Sequence, residues 1–166
     1  MSEPTIEFRA FKSGDLETLQ NIRQLAFEPI FRSFRETVGP EIASIVFTNA
    51  DEEQAKLLEK LSQANATQKM FVAELDEQIV GFVAVIFEIE NKVGEISLNA
   101  VHPDFADRGL GTKLYKFALV LMKENGMKVA TVGVGGDLAH TPARRAYEKA
   151  GFQSSIPSLW MYRLLN

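Results

Sequence analysis

The sequence predicts one mixed α/β domain, residues 1–166, in which a central β-sheet is flanked by helices. Three observations predict it. Apolar and polar residues alternate over 5–12 and strand-like runs recur from about 69 to 101; apolar residues keep helical spacing between and after those stretches; and no repeat, low-complexity segment or linker divides the chain. A chain of 166 residues, 46% of them hydrophobic, is also long enough to bury a core of ordinary size.

The first strand, 5–12, alternates as a half-buried strand does, and Ser13-Gly14-Asp15 supplies turn and cap chemistry. Leu16, Leu19, Ile22, Leu25 and Ala26 then keep helical spacing, which Pro29 disturbs and Gly39-Pro40 stops. A second helical stretch over 41–63 is expected in two pieces, broken at Thr48-Asn49-Ala50-Asp51, with Asp51 capping the second. Residues 70–75 and 79–88 read as a hairpin rich in Val, Ile and Phe, and Asn91-Lys92 turns the chain into a strand over 95–101. In that strand Ile96, Leu98 and Ala100 are expected on one face and Glu95, Ser97 and Asn99 on the other. A loop over 102–109 leads into an apolar helix that ends near Asn125, with Gly126 as its left-handed cap. A short buried strand, 128–134, opens into a glycine-rich loop. The last helix has Thr141 as N-cap, Pro142 at its first position and Gly151 after its end; closing strands are expected from Phe152 onward and over 159–164.

Composition excludes several function classes. With no Cys and only two His, the sequence offers no disulfide framework and no recognisable metal-ligand spacing, so no metal is expected and the chain reads as cytoplasmic. The longest uninterrupted apolar run, 79–87, falls well short of the roughly 20 residues that span a bilayer, and the first twenty residues lack signal-peptide order, so no membrane partner is expected. A net charge of −4 provides no broad basic surface for nucleic acid. No Gly-x-Ser-x-Gly turn presents a serine nucleophile.

The segment richest in chemistry is 95–125. Gly109 and Gly111 stand where a loop becomes a helix, a junction that offers unpaired N–H groups and the positive end of the helix dipole to an anion such as phosphate. The same Gly-x-Gly also suits a plain tight turn. A dinucleotide-binding βαβ unit fits poorly, because Leu114 holds the place of its third glycine and no acid ends the following strand.

Three runs taken together are more specific: Glu95-Ile96-Ser97-Leu98-Asn99-Ala100-Val101-His102-Pro103, then Arg108-Gly109-Leu110-Gly111-Thr112-Lys113-Leu114, then residues 143–152 around Tyr147. In order and spacing they resemble the GNAT superfamily of acyl-CoA-dependent N-acetyltransferases, and the preceding strand, helices and hairpin follow that superfamily's order. The resemblance implies a GNAT-like α/β fold and an enzyme that moves an acetyl group from acetyl-CoA to a primary amine by direct attack. It implies that Arg108, Gly109, Leu110, Gly111 and Thr112 cradle the cofactor's pyrophosphate through backbone amides. Asn99, Ala100 and Val101 would bind the pantetheine arm and the acetyl carbonyl. Tyr147 matches the tyrosine that protonates the leaving thiolate, although its place on an apolar helix face equally suits core packing. Glu95 matches the position of a glutamate base in some members, acting through water, against the alternative of a solvent-facing strand residue.

The chain departs from the superfamily pattern at Ala106, where Arg or Gln usually stands, which weakens a side-chain contact and leaves the backbone cradle intact. His140 replaces a cofactor-binding Asn and either makes a similar hydrogen bond or caps the loop, whereas His102 reads as a turn residue. Phe27, Phe31, Phe34, Arg32 and Arg35 are candidates for the amine site by position alone. The amine itself and the oligomeric state are not encoded legibly. The alternative function is a non-catalytic acyl-CoA-binding regulatory or interaction module.

Overall fold

The computed structural model describes residues 5–165. Its elements are β1 (Ile6–Ala10), α1 (Leu16–Val38), α2 (Pro40–Val46), α3 (Ala50–Ser62), β2 (Gln68–Leu75), β3 (Gln78–Glu88), β4 (Val93–Val101), α4 (Leu110–Glu124), β5 (Val129–Val132) and α5 (Thr141–Ala150). The strands form one sheet in the order β1-β2-β3-β4-β5. Its first three pairings are antiparallel and the last, β4 with β5, is parallel, so the mixed sheet expected from the sequence is present. The β2–β3 turn is made by Asp76 and Glu77, both at positive φ, the geometry that lets a two-residue hairpin follow the twist of its strands.

Two cores cover the two faces. Leu110, Leu114, Ala118 and Met122 of α4, with Tyr147 of α5, pack on Val83, Val85 and Ile96. Leu19 and Ile22 of α1, with Leu58 and Leu61 of α3, pack on Met70, Val72, Phe82, Leu98 and Ala100. Ile96 therefore faces the α4 layer while Leu98 and Ala100 face the α1 layer, which corrects the single-face expectation for these three. The cause is a β-bulge: Val83 lies opposite Asn99 and Val85 opposite Ile96, so β4 carries one extra residue and its side-chain alternation inverts there.

Three other expectations are refined. Helix α1 runs unbroken through Pro29, whose missing N–H leaves the carbonyl of Leu25 without its usual i+4 donor. Pro29→Ala is expected to raise stability by about 1–2 kcal/mol, the restored helix bond outweighing the looser unfolded chain, as read by urea unfolding. The break between α2 and α3 falls where the sequence placed it, but Asn49 is the N-cap and makes no side-chain cap bond. Asp51 instead pairs with Arg23 of α1 at 2.7 Å. Arg23 is only 3% exposed and also bonds Gln20 and Gln54. Asp51→Ala strands that buried guanidinium and is expected to cost about 2 kcal/mol in urea unfolding, less than a fully buried pair because Asp51 is half exposed. At α5 the N-cap is His140, one residue before the expected Thr141.

The closing strands are absent: residues 152–165 have no regular secondary structure. Gly151, at φ +119°, turns Phe152 back onto Tyr147, with the Phe152 N–H bonded to the Tyr147 carbonyl at 3.1 Å, so the chain leaves α5 without joining β5. Pro157 further removes a ladder donor, and apolar content alone does not make a strand. Tyr162 rests edge-on against Phe47, the residue after α2, at 6.0 Å, while Leu159 and Trp160 are 87% and 84% exposed.

Candidate active site

The site begins with a parting of strands. The parallel pairing of β4 and β5 stops at Ile96 opposite Val132, yet β4 continues to Val101. The His102 N–H bonds the Val80 carbonyl on β3 at 2.8 Å. By strand alternation the N–H groups of Val101 and Asn99 point the other way, into the gap, while the backbone of Ala100 turns toward β3. The sequence-designated trio thus presents two free amides to the gap. A cleft of about 820 Å³ occupies it, bounded by β4, the start of α4, the loop before α5, and Leu25, Phe27, Pro29 and Ile30 of α1.

At one end of the cleft lies the turn into α4. Gly109 holds φ +73° as the N-cap, a conformation that suits glycine, and Asp107 just before it is also at positive φ. The Lys113 N–H closes the first helical bond to Gly109 at 3.1 Å, so the N–H groups of Leu110, Gly111 and Thr112 have no helical partner and stand at the positive helix end. A Cβ on Gly111 would meet Ala146 and Tyr115 only at an ordinary 3.7 Å, so internal packing does not demand a glycine there. The Arg108 guanidinium lies over the Phe105 ring at 5.4 Å, which keeps its charge at the rim.

Tyr147 reaches the cleft from α5 and is 5% exposed. Its hydroxyl accepts from Asn99 Nδ2 at 3.0 Å, and its ring stacks on Tyr115 of α4 at 4.2 Å. Burial raises the Tyr147 phenol above the ordinary range, opposed by the Asn99 hydrogen bond and the neighbouring Tyr115 hydroxyl, so it is protonated near neutral pH. Burial also holds the Tyr115 phenol well above its ordinary range.

Glu95 is exposed and lines the cleft. Because Ile96 faces the α4 layer, Glu95 points to the α1 side, across the sheet from Tyr147. His140 also lines the cleft. Its Nδ1 lies 2.5 Å from Asp137 Oδ1, and its ring is 5.9 Å from Phe34. Burial raises the Asp137 carboxyl, but the His140 contact and backbone hydrogen bonds together outweigh it and hold the group below the usual carboxylate range. Arg144 pins the loop ahead of α5 by donating to the carbonyls of Gly135 and Asp137, both at 2.6 Å. His102 behaves as a turn residue, its Nδ1 accepting from the Asp104 N–H at 3.2 Å.

Among the amine-site candidates, Phe27 lines the cleft, and Phe31 packs 6.2 Å from it. Arg32 and Arg35 instead line a separate groove of about 630 Å³ between α1 and α2, where both meet Glu28, at 3.8 and 3.0 Å. Tyr115 and the carboxamide of Asn99 were not singled out in the sequence. Tyr115 reads there as one more apolar position of α4, and no spacing rule links residues 99, 115 and 147. No cluster of His, Cys, Asp or Glu suited to a metal occurs among the described residues. No helix among them is long and apolar enough to cross a membrane.

Residues 26–152 match the model of the acetyltransferase (GNAT) family. The chain belongs to that family. This GNAT chain is 43% identical over 84 residues to an uncharacterized N-acetyltransferase of Archaeoglobus fulgidus, a match covering 47% of the chain and 55% of that protein. It is 31% identical over 93 residues to a mycothiol acetyltransferase of Streptomyces coelicolor, covering 56% of the chain and 29% of that protein. The chain therefore spans about half or less of the length of these relatives. In fold it resembles the PaiA N-acetyltransferase of Thermoplasma acidophilum, solved in complex with coenzyme A, with a TM-score of 0.69 at 20% identity over 93% of both chains.

Proposed function

We propose that this chain, acting as one domain over residues 1–166, transfers the acetyl group of acetyl-CoA to a primary amine by direct attack. The observation that carries the reading is the gap between β4 and β5, where the free amides of Asn99 and Val101 lead to the free amides at the start of α4. A cleft with backbone donors at both ends suits a long ligand with a carbonyl at one end and phosphates at the other. The donor set fits acetyl-CoA, and the space beside Gly109, where a Cβ would meet nothing within 4 Å, leaves room for the phosphates to approach the backbone. When bound, acetyl-CoA supplies a thioester whose thiol is the leaving group.

In this reading Arg108, Gly109, Leu110, Gly111 and Thr112 form the pyrophosphate cradle, with Arg108 and Lys113 adding charge at its rim. The amides of Asn99 and Val101 hold the acetyl carbonyl and stabilise the negative charge that develops on its oxygen during attack. Glu95, on the α1 side, takes the ammonium proton through a water, since only the neutral amine attacks. Tyr147, on the α5 side, gives its proton to sulfur as the C–S bond breaks and the N–C bond forms, and its phenolate regains a proton from solvent. Acid and base thus approach from opposite faces of the sheet, as needed when the nucleophile enters on one side and the leaving group departs on the other. His140, fixed by Asp137, borders the cofactor end. Leu25, Phe27, Pro29 and Ile30 wall the side from which the amine enters.

The test is thiol release from acetyl-CoA in the presence of a panel of amines, amino acids and peptide N-termini, with calorimetric titration of acetyl-CoA alone. Saturable binding and amine-dependent thiol release are expected. Binding without release for any amine would overturn the catalytic reading in favour of a non-catalytic acyl-CoA-binding module, and no binding would overturn both.

A further inference from the structure

We infer that Tyr115 and the carboxamide of Asn99 form a positioning pair that holds the Tyr147 phenol as a hydrogen-bond acceptor, leaving its proton for the departing sulfur. The inference rests on the acid role proposed for Tyr147.

The carboxamide is held at both ends. Asn99 Nδ2 donates to the Ser97 carbonyl at 2.9 Å and to the Tyr147 hydroxyl oxygen at 3.0 Å. Asn99 Oδ1 accepts the Tyr115 hydroxyl at 2.8 Å. A carbonyl only accepts, so Ser97 dictates that the amide nitrogen, not the oxygen, faces Tyr147; Tyr115 secures the opposite end. Tyr147 accordingly accepts from Asn99, so the carboxamide does not take the Tyr147 O–H. Were the carboxamide reversed, Oδ1 would accept that O–H and capture the proton.

The arrangement also addresses an energetic difficulty. Burial pushes the Tyr147 phenol up, which makes it a reluctant donor. An N–H aimed at its oxygen binds the phenolate more strongly than the phenol, so Asn99 favours the state that follows proton transfer. The stacking of Tyr115 on Tyr147 means that one residue both braces the ring and orients the group that tunes it. The β-bulge makes this possible, because it turns Asn99 toward the α4 and α5 layer while its neighbours Leu98 and Ala100 face α1.

The test uses thiol release from acetyl-CoA with hydroxylamine, a small neutral nitrogen nucleophile that needs no fitted acceptor site. Tyr115→Phe keeps the stacked ring and removes only the hydroxyl; Asn99→Leu removes the donor at similar volume. Tyr115→Phe is expected to lower kcat about fivefold and Asn99→Leu about thirtyfold, with KM and calorimetric affinity for acetyl-CoA unchanged. Each is then combined with Tyr147→Phe. Neither is expected to slow that variant further, because a positioning pair has nothing left to position. A purely structural role would slow both backgrounds alike. Wild-type activity intact in Tyr115→Phe and Asn99→Leu, or losses that multiply with that of Tyr147→Phe, would overturn the inference while leaving the acid role standing. A Tyr147→Phe variant as fast as wild type, or a wild type no faster than the uncatalysed background, would overturn the acid role itself and the inference with it.

Discussion

Tyr147→Phe is expected to lower kcat for acetyl transfer by about 100-fold, at the lower end of what a positioned general acid contributes. The size follows from the site. On the proposed chemistry the leaving thiolate would meet the Tyr147 hydroxyl, which accepts from Asn99 and so does not lose its proton to the carboxamide, whereas the Tyr115 hydroxyl donates to Asn99. Phe fills the same space between Tyr115 and Phe152, so the ring contacts at 4.2 and 5.8 Å survive. Acetyl-CoA affinity and melting temperature are therefore expected to stay close to wild type. Steady-state thiol release paired with calorimetry checks both halves: a matched fall in affinity and rate would mean that Tyr147 packs the core rather than donating a proton.

Gly111→Val is expected to weaken acetyl-CoA binding by about 100-fold, equivalent to about 2.7 kcal/mol, with little loss of stability. The separation of the two effects is the informative part. A Cβ at Gly111 makes only van der Waals contacts within the protein, at 3.7 Å from Ala146 and Tyr115. Replacing a helical glycine also removes backbone freedom from the unfolded chain, so stability is expected to change by less than about 1 kcal/mol. With Cβ already against Ala146 and Tyr115, the two γ-methyls of valine are expected to turn into the cleft that Gly111 lines, in front of the Leu110, Gly111 and Thr112 amides where a phosphate would sit. Gly111→Ala, which stops at Cβ, is the control and is expected to bind nearly as wild type. Titration calorimetry with chemical denaturation distinguishes a blocked cradle from a damaged fold; equal losses in both would point to the latter.

The sequence made local features legible and missed those that depend on long-range pairing. Helix α4 and its glycines could be read because the apolar stripe, the loop-to-helix junction and the left-handed Gly126 are all local signals. The break between α2 and α3 was local too. The unbroken path of α1 through Pro29 was not, because the packing of Leu19 and Ile22 beneath the sheet outweighs one lost helical bond. The bulge in β4 left no mark in the sequence, since an extra residue shows only once the register against β3 is known, and it redirects Ile96 and Asn99. The same limit hid the Tyr115–Asn99–Tyr147 contact, which joins three elements. Apolar content after Phe152 suggested strands, but a strand needs a partner, and the chain turns back onto Tyr147 instead. The candidate residues Asn99, Val101, Gly109, Gly111 and Tyr147 converge on one cleft; Arg32 and Arg35 do not.

The most direct measurement is a crystal structure of the protein with acetyl-CoA. The thioester sulfur is expected within about 3.5 Å of the Tyr147 hydroxyl, the acetyl oxygen on the amides facing the gap between β4 and β5, and the pyrophosphate on the first turn of α4. A thioester bound elsewhere, with Tyr147 out of reach of the sulfur and the β4 amides empty, would contradict that placement.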